Sequence, residues 1–244
     1  MESAQLPEHR PVVRPIVCDW DAGSHLPGPS RNSGIWRDLL ADRDDFLPPV
    51  VLNRRLGELT PAALTAVTSA VWAAGEPPLL LGGDHRLTSS PLTAAAHHFP
   101  RLCVHQFDAH HDHHIAPSLT NYSFMRAVTE RIGFEVVRHG CREEGAPPTT
   151  TRGSDMEVYL TIDVDYFDPK WFTSVNYPVE VPDDSQYDLP TLTQTVHAIA
   201  APARVIGADI VEWCADRATE TEIATIRQLL TVLSTVLRAA SDAR

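Results

Sequence analysis

The chain has 244 residues, of which 43% are hydrophobic and 21% are charged, the balance of a soluble globular protein. Its 32 acidic and 20 basic residues give a formal net charge of −12. No run rich in Lys or Arg offsets this excess, and we find no stretch typical of a signal peptide or a membrane span. We therefore predict a cytoplasmic protein with reduced cysteines, no nucleic-acid partner and no membrane partner.

The amino-terminal segment, residues 1–55, is rich in Pro and Arg and has one apolar run that predicts a strand, Val12 to Val17. A helix is predicted to follow, because Thr60 and Pro61 form a typical helix start and Gly75 a typical helix end. The next predicted elements are a strand over Pro78–Leu81 and a helix through Ala94–Ala96.

The same alternation continues to the end of the chain. Predicted strands are Leu102–Phe107, Glu135–Val137, Val158–Ile162 and Val205–Val211, and predicted helices are Ser123–Arg131, Pro190–Ala200 and Glu220–Ala240. Alternating strands and helices indicate an α/β fold with a central, mainly parallel sheet between two helical layers. We find no linker composition, so the prediction is one domain over 1–244. The loops 113–121, 143–155 and 170–189 are expected to shape a pocket.

Acids and histidines follow three of the predicted strands. His85 ends a Gly-Gly-Asp-His segment, and Asp108, His110 and Asp112 follow the strand that ends at Phe107. Asp163 and Asp165 follow the next buried strand. Residues at alternate positions of a strand exit can aim their side chains to one side. Because parallel strands present their carboxyl ends at one edge of a sheet, these six residues are predicted to form one site.

These six residues have the chemistry of a metal centre. Four carboxylates and two imidazoles exceed what one cation needs and suit two hard divalent ions, with Mn²⁺ favoured. The Gly-Gly-Asp-His segment alone could be a simple strand-to-helix turn. However, paired acids at a strand end repel one another, and a cation relieves this repulsion. Three such clusters in one α/β chain make a coincidence improbable.

The chain resembles the arginase/agmatinase (ureohydrolase) family. Its three signature motifs, G-G-D-H, D-A-H-x-D and D-x-D-x-x-D-P, all occur here in order and complete. Gly207–Glu212 further resembles the late strand of that family, which ends in a glutamate that grips a guanidinium group. The resemblance runs from Pro78 to the carboxyl terminus, and residues 1–55 are poorly matched.

The resemblance implies a hydrolase with two Mn²⁺ ions in a three-layer α/β/α fold. His85, Asp108, Asp112 and Asp163 would hold one ion, and His110 and Asp165 the other, with Asp108 and Asp163 bridging the two. The ion pair would lower the pKa of water, and the resulting hydroxide would attack the guanidinium carbon. Asp112 would orient the water, and Glu212 would hold the substrate. The expected catalytic residues are thus Asp112, His110 and Glu212, and the products urea and an amine.

The region after the second motif departs from the family pattern. The family carries there a histidine thought to pass protons to the leaving amine, and Asn121 or Ser123 stands in its place. Neither side chain titrates near neutral pH. His113 or His114 could line the pocket mouth or take over proton transfer, or belong to a solvated loop. Glu212, Asn121, Ser123, His113 and His114 are therefore the predicted substrate-binding residues.

The altered loops favour a substrate larger than a free amino acid, such as an arginine residue in a peptide, which would become ornithine. The alternative is a small-molecule ureohydrolase that acts on free arginine, agmatine or a guanidino acid. A single-metal deacylase and a catalytically silent guanidinium-binding protein are less well supported. Asp84, Asp168 and Asp209 are expected to orient ligands and loops. The family resemblance also allows a homo-oligomer.

Overall fold

The structure, a computed structural model, describes residues 12–20, 26, 28, 32–52, 60–148, 156–182 and 186–242. Its strands are β1 (Arg14–Cys18), β2 (Val50–Leu52), β3 (Pro78–Leu81), β4 (Leu102–Phe107), β5 (Glu135–His139), β6 (Glu157–Asp163) and β7 (Arg204–Val211). Its helices are α1 (Ser33–Leu40), α2 (Pro61–Ala73), α3 (Ser89–His98), α4 (Phe124–Ile132), α5 (Leu189–Ala200) and α6 (Glu220–Asp242). Short 3₁₀ turns follow β3, β6 and β7.

The strands form one seven-stranded sheet in the order β2-β1-β3-β7-β6-β4-β5. Every pairing in it is parallel, which confirms the predicted α/β architecture. Parallel neighbours need a crossover connection, and the helices supply it.

Two layers of helices cover the sheet and bury its two faces. One face packs against α1, α5 and α6 around large side chains such as Trp36, Leu160 and Trp213. The other face packs against α2, α3 and α4 in two clusters that include Leu80, Val104 and Tyr159. Burial of both faces explains why the strands read as nearly continuous apolar runs.

The predicted helix and strand bounds agree closely with the structure from residue 60 onward. The hydroxyl of Thr60 accepts a hydrogen bond from the Ala63 amide at 3.1 Å, as its predicted role as helix cap requires. The amino-terminal part differs more. β1 begins two residues after the predicted start, and α1 and β2 have no counterpart in the sequence prediction. Their short lengths, eight and three residues, give little periodicity to detect.

Helix α6 corrects the expectation that no segment of this chain reaches membrane-span length. Residues Glu220–Ala240 are long and apolar enough by composition alone. The apolar side chains of α6, Ile226, Leu229, Leu230, Leu233 and Leu237, are fully buried in the core that α5, α6 and β7 share. Packing against the sheet therefore accounts for the apolar character of this helix.

The register of the central strands brings four chain segments to one edge of the sheet. Phe107 of β4 pairs with Ile162 of β6, Ile162 pairs with Ile210 of β7, and Ile210 pairs with Leu81 of β3. The residues that follow these four positions therefore emerge side by side. They carry the three acid and histidine clusters and Glu212, at the place where open α/β sheets bind ligands.

Candidate metal centre

The first group of candidate ligands surrounds one nitrogen of His85. The Nδ1 atom lies 2.8 Å from Oδ2 of Asp112, 3.2 Å from Oδ2 of Asp108 and 3.3 Å from Oδ2 of Asp163. Neither this nitrogen nor Oδ2 of Asp112 makes a hydrogen bond, although both are buried. Neighbouring ligands of an octahedral ion with bonds near 2.1 Å are about 3 Å apart, so each of the three oxygens lies at the distance from Nδ1 that a second ligand of the same ion would have.

The other nitrogen of His85 fixes the tautomer of the ring. Nε2 lies 2.8 Å from the hydroxyl oxygen of Thr161, and that hydroxyl donates its hydrogen to Oδ1 of Asp209 at 2.7 Å. The Thr161 oxygen must then accept a hydrogen from Nε2. Nδ1 consequently faces the carboxylates, where it can carry either a proton, which they favour, or a metal ion, as in a metal-bound histidine.

The second group shares Asp108 with the first. Nδ1 of His110 lies 2.8 Å from Oδ2 of Asp165 and 3.6 Å from Oδ1 of Asp108. One ligand atom from each of His85, Asp108 and Asp112 lies within 4.8 Å of the others, and the same holds for Asp108, His110 and Asp165. Because the two oxygens of Asp108 face different groups, this carboxylate has the geometry of a bridging ligand.

Backbone amides hold three of the carboxylates in place. The Asp165 amide donates to Oδ1 of Asp163 at 2.9 Å, and the Ala109 amide donates to Oδ1 of Asp165 at 3.0 Å. The His110 amide donates to Oδ1 of Asp108 at 2.6 Å, and the Gln106 side chain donates to Oδ2 at 2.8 Å. Asp163 and Asp165 thus use one oxygen for the backbone and direct the other toward the centre.

The electrostatics of the cluster favour a bound cation. Burial and the charge of Asp108 raise the pKa of Asp112 to about 8. Burial and the charges of Asp165 and Asp108 raise the pKa of Asp163 well above its usual range. Burial lowers the pKa of His85, but the adjacent carboxylates outweigh it and raise that pKa well above its usual value. A cluster of carboxylates that resists ionisation is stabilised by divalent ions.

The residues present therefore fit two divalent cations. Four carboxylates with two imidazoles make an oxygen-rich donor set that suits Mn²⁺ better than the thiolate or all-nitrogen sets of softer ions.

Glu212 lies beside the two groups at the end of β7. Its Oε1 accepts hydrogen bonds from the His85 amide at 2.9 Å and from Nδ2 of Asn121 at 3.3 Å, whereas its buried Oε2 has no partner. Burial and the charge of Asp84 raise the pKa of Glu212 to about 8. The backbone φ angles of Glu212 and Asp112 are 61° and 49°, in the left-handed region that non-glycine residues seldom adopt. Such conformations concentrate at functional sites.

The two glycines before Asp84 permit this close packing. Gly82 and Gly83 have φ angles of 93° and 76°, and the Gly83 carbonyl accepts the Glu212 amide at 2.9 Å. A Cβ atom on Gly83 would lie 2.5 Å from the Trp20 carbonyl oxygen. The Gly-Gly pair thus lets the β3 turn lie directly against the end of β7.

A cavity of about 130 Å³ opens onto the centre. Five of the six candidate ligands line it, all except Asp108, together with Glu212, Asn121, Tyr122, Val175, Asn176 and Tyr177. The loop 170–189 therefore contributes to the pocket through residues 175–177, as expected from its length. The sequence did not single out Tyr122, Val175, Asn176 or Tyr177 as wall residues.

The remaining predicted substrate-binding residues lie in different places. Asn121 lines the cavity, and its buried Oδ1 has no hydrogen-bond partner. The Ser123 hydroxyl bonds to Thr120 and Ser118 and is not part of the cavity wall. His113 and His114 also lie outside this wall, and His114 is largely exposed. Of the two candidates for the position of the absent histidine, Asn121 is thus the one the structure brings to the centre.

A third set of donors, His111, His114 and Glu143, also lies close together. Nε2 of His114 is 2.6 Å from Oε1 of Glu143, and Nε2 of His111 is 3.4 Å from Oε2. However, Nδ1 of His111 accepts the His113 amide at 2.9 Å, so a neutral ring carries its hydrogen on Nε2. A metal at Nε2 would require an imidazolate, and this set, the loop cluster, is better described as hydrogen-bonded.

Arg142 connects two of the segments that carry the candidate ligands, a role that the sequence analysis did not predict. Its guanidinium donates to the Asp165 carbonyl at 2.8 Å and the Tyr166 carbonyl at 3.1 Å, and its amide donates to the Ala109 carbonyl at 2.8 Å. One residue therefore connects the segments that follow β4 and β6. Contacts with backbone carbonyls leave no pattern in the sequence around Arg142.

Comparison with known proteins identifies similar sequences and similar folds. The sequence model described as "Arginase family" matches residues 40–145. The chain is 29% identical over 175 residues to an agmatinase from Proteus mirabilis, an alignment that covers 61% of this chain and 56% of that protein. The chain thus spans only a little over half the length of this curated relative.

Solved structures share the fold over nearly the whole chain. A putative agmatinase from Clostridium difficile superposes with a TM-score of 0.75 at 17% identity and covers 94% of this chain and 98% of that one. An arginase from Bacillus subtilis gives a TM-score of 0.72 at 18% identity and covers 91% and 98%. At this identity the likeness concerns the fold alone.

Proposed function

We propose that this chain, which belongs to the arginase family, hydrolyses the guanidino group of a small-molecule substrate to urea and an amine. The observation that carries the proposal is the unpaired, buried Oε2 of Glu212, a residue that lines the same cavity as five of the six candidate ligands. Burial raises the pKa of Glu212 to about 8, and a bound guanidinium would favour its ionised form, which then anchors this planar cation through several N–H donors.

The ligand set would hold two divalent ions, which we propose to be Mn²⁺. His85, Asp112, Asp108 and Asp163 would hold one ion, and His110 and Asp165 would hold the other together with Asp108 and Asp163. When bound, such ions supply water of lowered pKa and neutralise charge that develops at the reacting carbon.

The protein side chains position the substrate. Oε2 of Glu212 accepts N–H bonds from the guanidinium group, while Oε1 stays fixed by the His85 amide and Asn121. The free Oδ1 of Asn121 offers a second acceptor on the same wall. Two fixed acceptors orient the plane of the guanidinium and so expose one face of its carbon to the ligand groups.

Proton transfer falls to Asp112 in this proposal. Asp112 lines the cavity, and the carboxylate oxygen that does not serve as a ligand can accept a hydrogen from the attacking water. His110 stands across the centre, oriented by Asp165. Asn121 cannot protonate the leaving amine, so the same non-ligating oxygen of Asp112 returns that proton.

Two features support a small-molecule substrate over an arginine residue in a peptide. The cavity holds about 130 Å³ and is bounded by Tyr122, Val175 and Tyr177, which leaves room for a guanidino group and a short chain. The curated relatives carry the name agmatinase, which indicates a small amine as substrate of those proteins. A peptide substrate, with conversion of arginine to ornithine, stays a prediction that the same assay tests.

The test measures urea released by the Mn²⁺-loaded protein from agmatine, arginine, 4-guanidinobutyrate and an arginyl peptide. Urea from at least one small substrate is expected, and Glu212→Gln should lower kcat/KM on the order of a hundredfold or more, because the substitution removes the charge that binds guanidinium. Glu130→Gln, an exposed control on α4, should behave as wild type.

Activity on the peptide alone would overturn the small-molecule proposal in favour of the peptide prediction. Absence of urea from every substrate, with guanidinium binding still detectable by calorimetry, would identify a catalytically silent binding protein.

A further inference from the structure

The cavity wall changes character between its floor and its mouth. The floor carries the carboxylates of the metal centre and Glu212, whereas the remaining described wall residues, Asn121, Tyr122, Val175, Asn176 and Tyr177, carry no formal charge. The side chains of Val175 and the two tyrosines can contact methylene groups. Recognition of a charged group at the far end of a substrate therefore needs a residue just beyond this wall.

Arg217 occupies such a position. Its Nη2 donates to Oδ1 of Asn176 at 2.9 Å, and the Cys214 thiol donates to the same oxygen at 3.4 Å. Asn176 in turn donates to the Leu26 carbonyl at 3.2 Å. The guanidinium of Arg217 is thus held against a residue that lines the cavity.

Arg217 has N–H donors that are not used in hydrogen bonds to the described residues. A guanidinium carries five N–H donors, and within the described part of the chain Arg217 bonds only to Asn176 and the nearby Cys214 thiol. No carboxylate among the described residues lies within 4.0 Å of its nitrogens, in contrast to Arg14, Arg43 and Arg126. Arg217 is exposed to solvent, so a carboxylate can reach its free edge.

Glu212 and Arg217 both lie in the segment that connects β7 to α6. Glu212 ends β7, and Arg217 follows five residues later in the 3₁₀ turn Ala215–Arg217. The site therefore offers an anion at its floor and a cation beside its mouth. A substrate with a guanidinium at one end and a carboxylate at the other matches both charges, whereas a terminal ammonium would face Arg217 with like charge.

We propose that Arg217 binds the tail of the substrate, and that the preferred substrate class is an ω-guanidino carboxylate. This inference rests on the proposed guanidino hydrolysis and adds the chemistry of the distal group. Arg217 acts on binding and not on the reacting atoms, so its effect should appear in KM and leave kcat nearly unchanged.

The test compares three substrates with similar chains and different tail charges, under Mn²⁺: anionic 4-guanidinobutyrate, neutral n-butylguanidine and cationic agmatine. For wild-type protein, kcat/KM should fall in that order. Arg217→Gln should raise KM for 4-guanidinobutyrate about tenfold, as loss of one partly exposed charge-assisted contact does, and leave n-butylguanidine unchanged. Arg217→Lys should restore part of the loss.

Arg227→Gln, an exposed substitution on α6 with the same change in net charge, is the control and should leave the order of the substrates unchanged. A wild-type preference for agmatine, or an equal effect of Arg217→Gln on all three substrates, would overturn the inference while urea release still supports guanidino hydrolysis. Failure to release urea from all three would instead refute the proposed function.

Discussion

Two groups of histidines and acids lie within a few residues of each other and have opposite hydrogen-bond patterns. In the metal centre, Nδ1 of His85 and Oδ2 of Asp112 are 2.8 Å apart and yet make no hydrogen bond. In the loop cluster, both Glu143 oxygens accept hydrogens, one from His114 and the other from the His111 amide. Similar residue types thus form an unsatisfied set in one case and a satisfied set in the other.

The difference shows how a ligand set can be recognised without its ion. Buried polar atoms normally find hydrogen-bond partners, so buried ligand atoms of several side chains that converge without making hydrogen bonds are typical of a cation-binding site. In the metal centre, Nε2 of His85 donates its hydrogen to Thr161, on the side of the ring away from the carboxylates. In the loop cluster, the hydrogen on Nε2 of His111 lies on the side of the ring that faces Glu143. The direction of the histidine hydrogen separates the two groups better than the residue types do.

The largest expected effect comes from removing a shared ligand. Asp163→Asn should prevent occupation of both metal positions and lower the rate of urea formation on the order of a thousandfold, because the neutral amide is a poor ligand at a position between two ions. Metal content per chain, measured by mass spectrometry after dialysis, should fall below that of wild type.

The same substitution should not weaken the metal-free fold. It removes a buried carboxylate whose pKa is raised by burial and by the charges of Asp165 and Asp108. Thermal unfolding in chelator should give a Tm at least equal to that of metal-free wild type. A clearly lower Tm together with wild-type metal content would mean that Asp163 is a structural hydrogen-bonding residue and not a ligand.

Thr161→Val tests whether the tautomer of His85 matters to the centre. The substitution removes the acceptor for the Nε2 hydrogen and breaks the link to Asp209. We expect metal affinity to weaken by roughly ten- to a hundredfold, as loss of a partner behind a histidine ligand usually does. Mn²⁺ titration by calorimetry measures it. Thr68→Val, at a buried threonine in α2, is the matched control and should leave affinity unchanged.

The sequence was sufficient to predict the fold and to group the six candidate ligands, for a definable physical reason. Strand length, helix caps and apolar runs are local signals, and parallel pairing then places all carboxyl ends at one edge. Pro78–Leu81 and Leu102–Phe107 were predicted with the bounds the structure shows. Because Asp108, Asp163 and Glu212 directly follow such strands or end them, their proximity follows from the register.

The rest of the site depends on contacts between loops, which leave little pattern in the sequence. Arg142 acts through carbonyl oxygens that every residue has, so its sequence neighbours do not reveal it. Asn176 is coupled to Arg217, 41 residues away, by a single hydrogen bond. His113 and His114 were selected for residue type and chain proximity, but neither is among the residues that line the cavity.

The pH dependence of stability should differ in sign between the two groups. Burial and neighbouring charge raise the pKa of Asp112 to about 8, so the folded, metal-free protein binds that proton more tightly than the unfolded chain. Its contribution is therefore greatest at low pH and is lost as pH rises toward 8. The raised pKa of His85 acts in the same direction. The metal-free Tm should fall on the order of 5 °C between pH 5.5 and 8 from these groups, and Mn²⁺ should reverse it.

Asp112→Asn removes the contribution of this one titrating group. The slope of Tm against pH in chelator should therefore be smaller in the variant than in wild type.

Glu143 should affect the pH dependence of stability in the opposite direction. Burial raises its pKa, but hydrogen bonds from the His111 amide and His114 lower it more, so its stabilisation is present at neutral pH and lost as pH falls through its pKa. Equal slopes in wild type and Asp112→Asn would contradict the assignment of Asp112 to a repulsive, metal-requiring set.

The smallest expected effect is in the loop cluster itself. Glu143→Gln keeps the shape of the side chain but makes one of its two acceptors a donor, which faces the Nε2 hydrogen of His114 or the His111 amide. Because these groups are partly exposed, unfolding free energy should fall by only about 1 kcal/mol. Metal content and metal affinity should match wild type, because His111 offers no free lone pair to an ion. A loss of one bound metal in this variant would contradict the distinction between the two groups and make the loop cluster a third metal site.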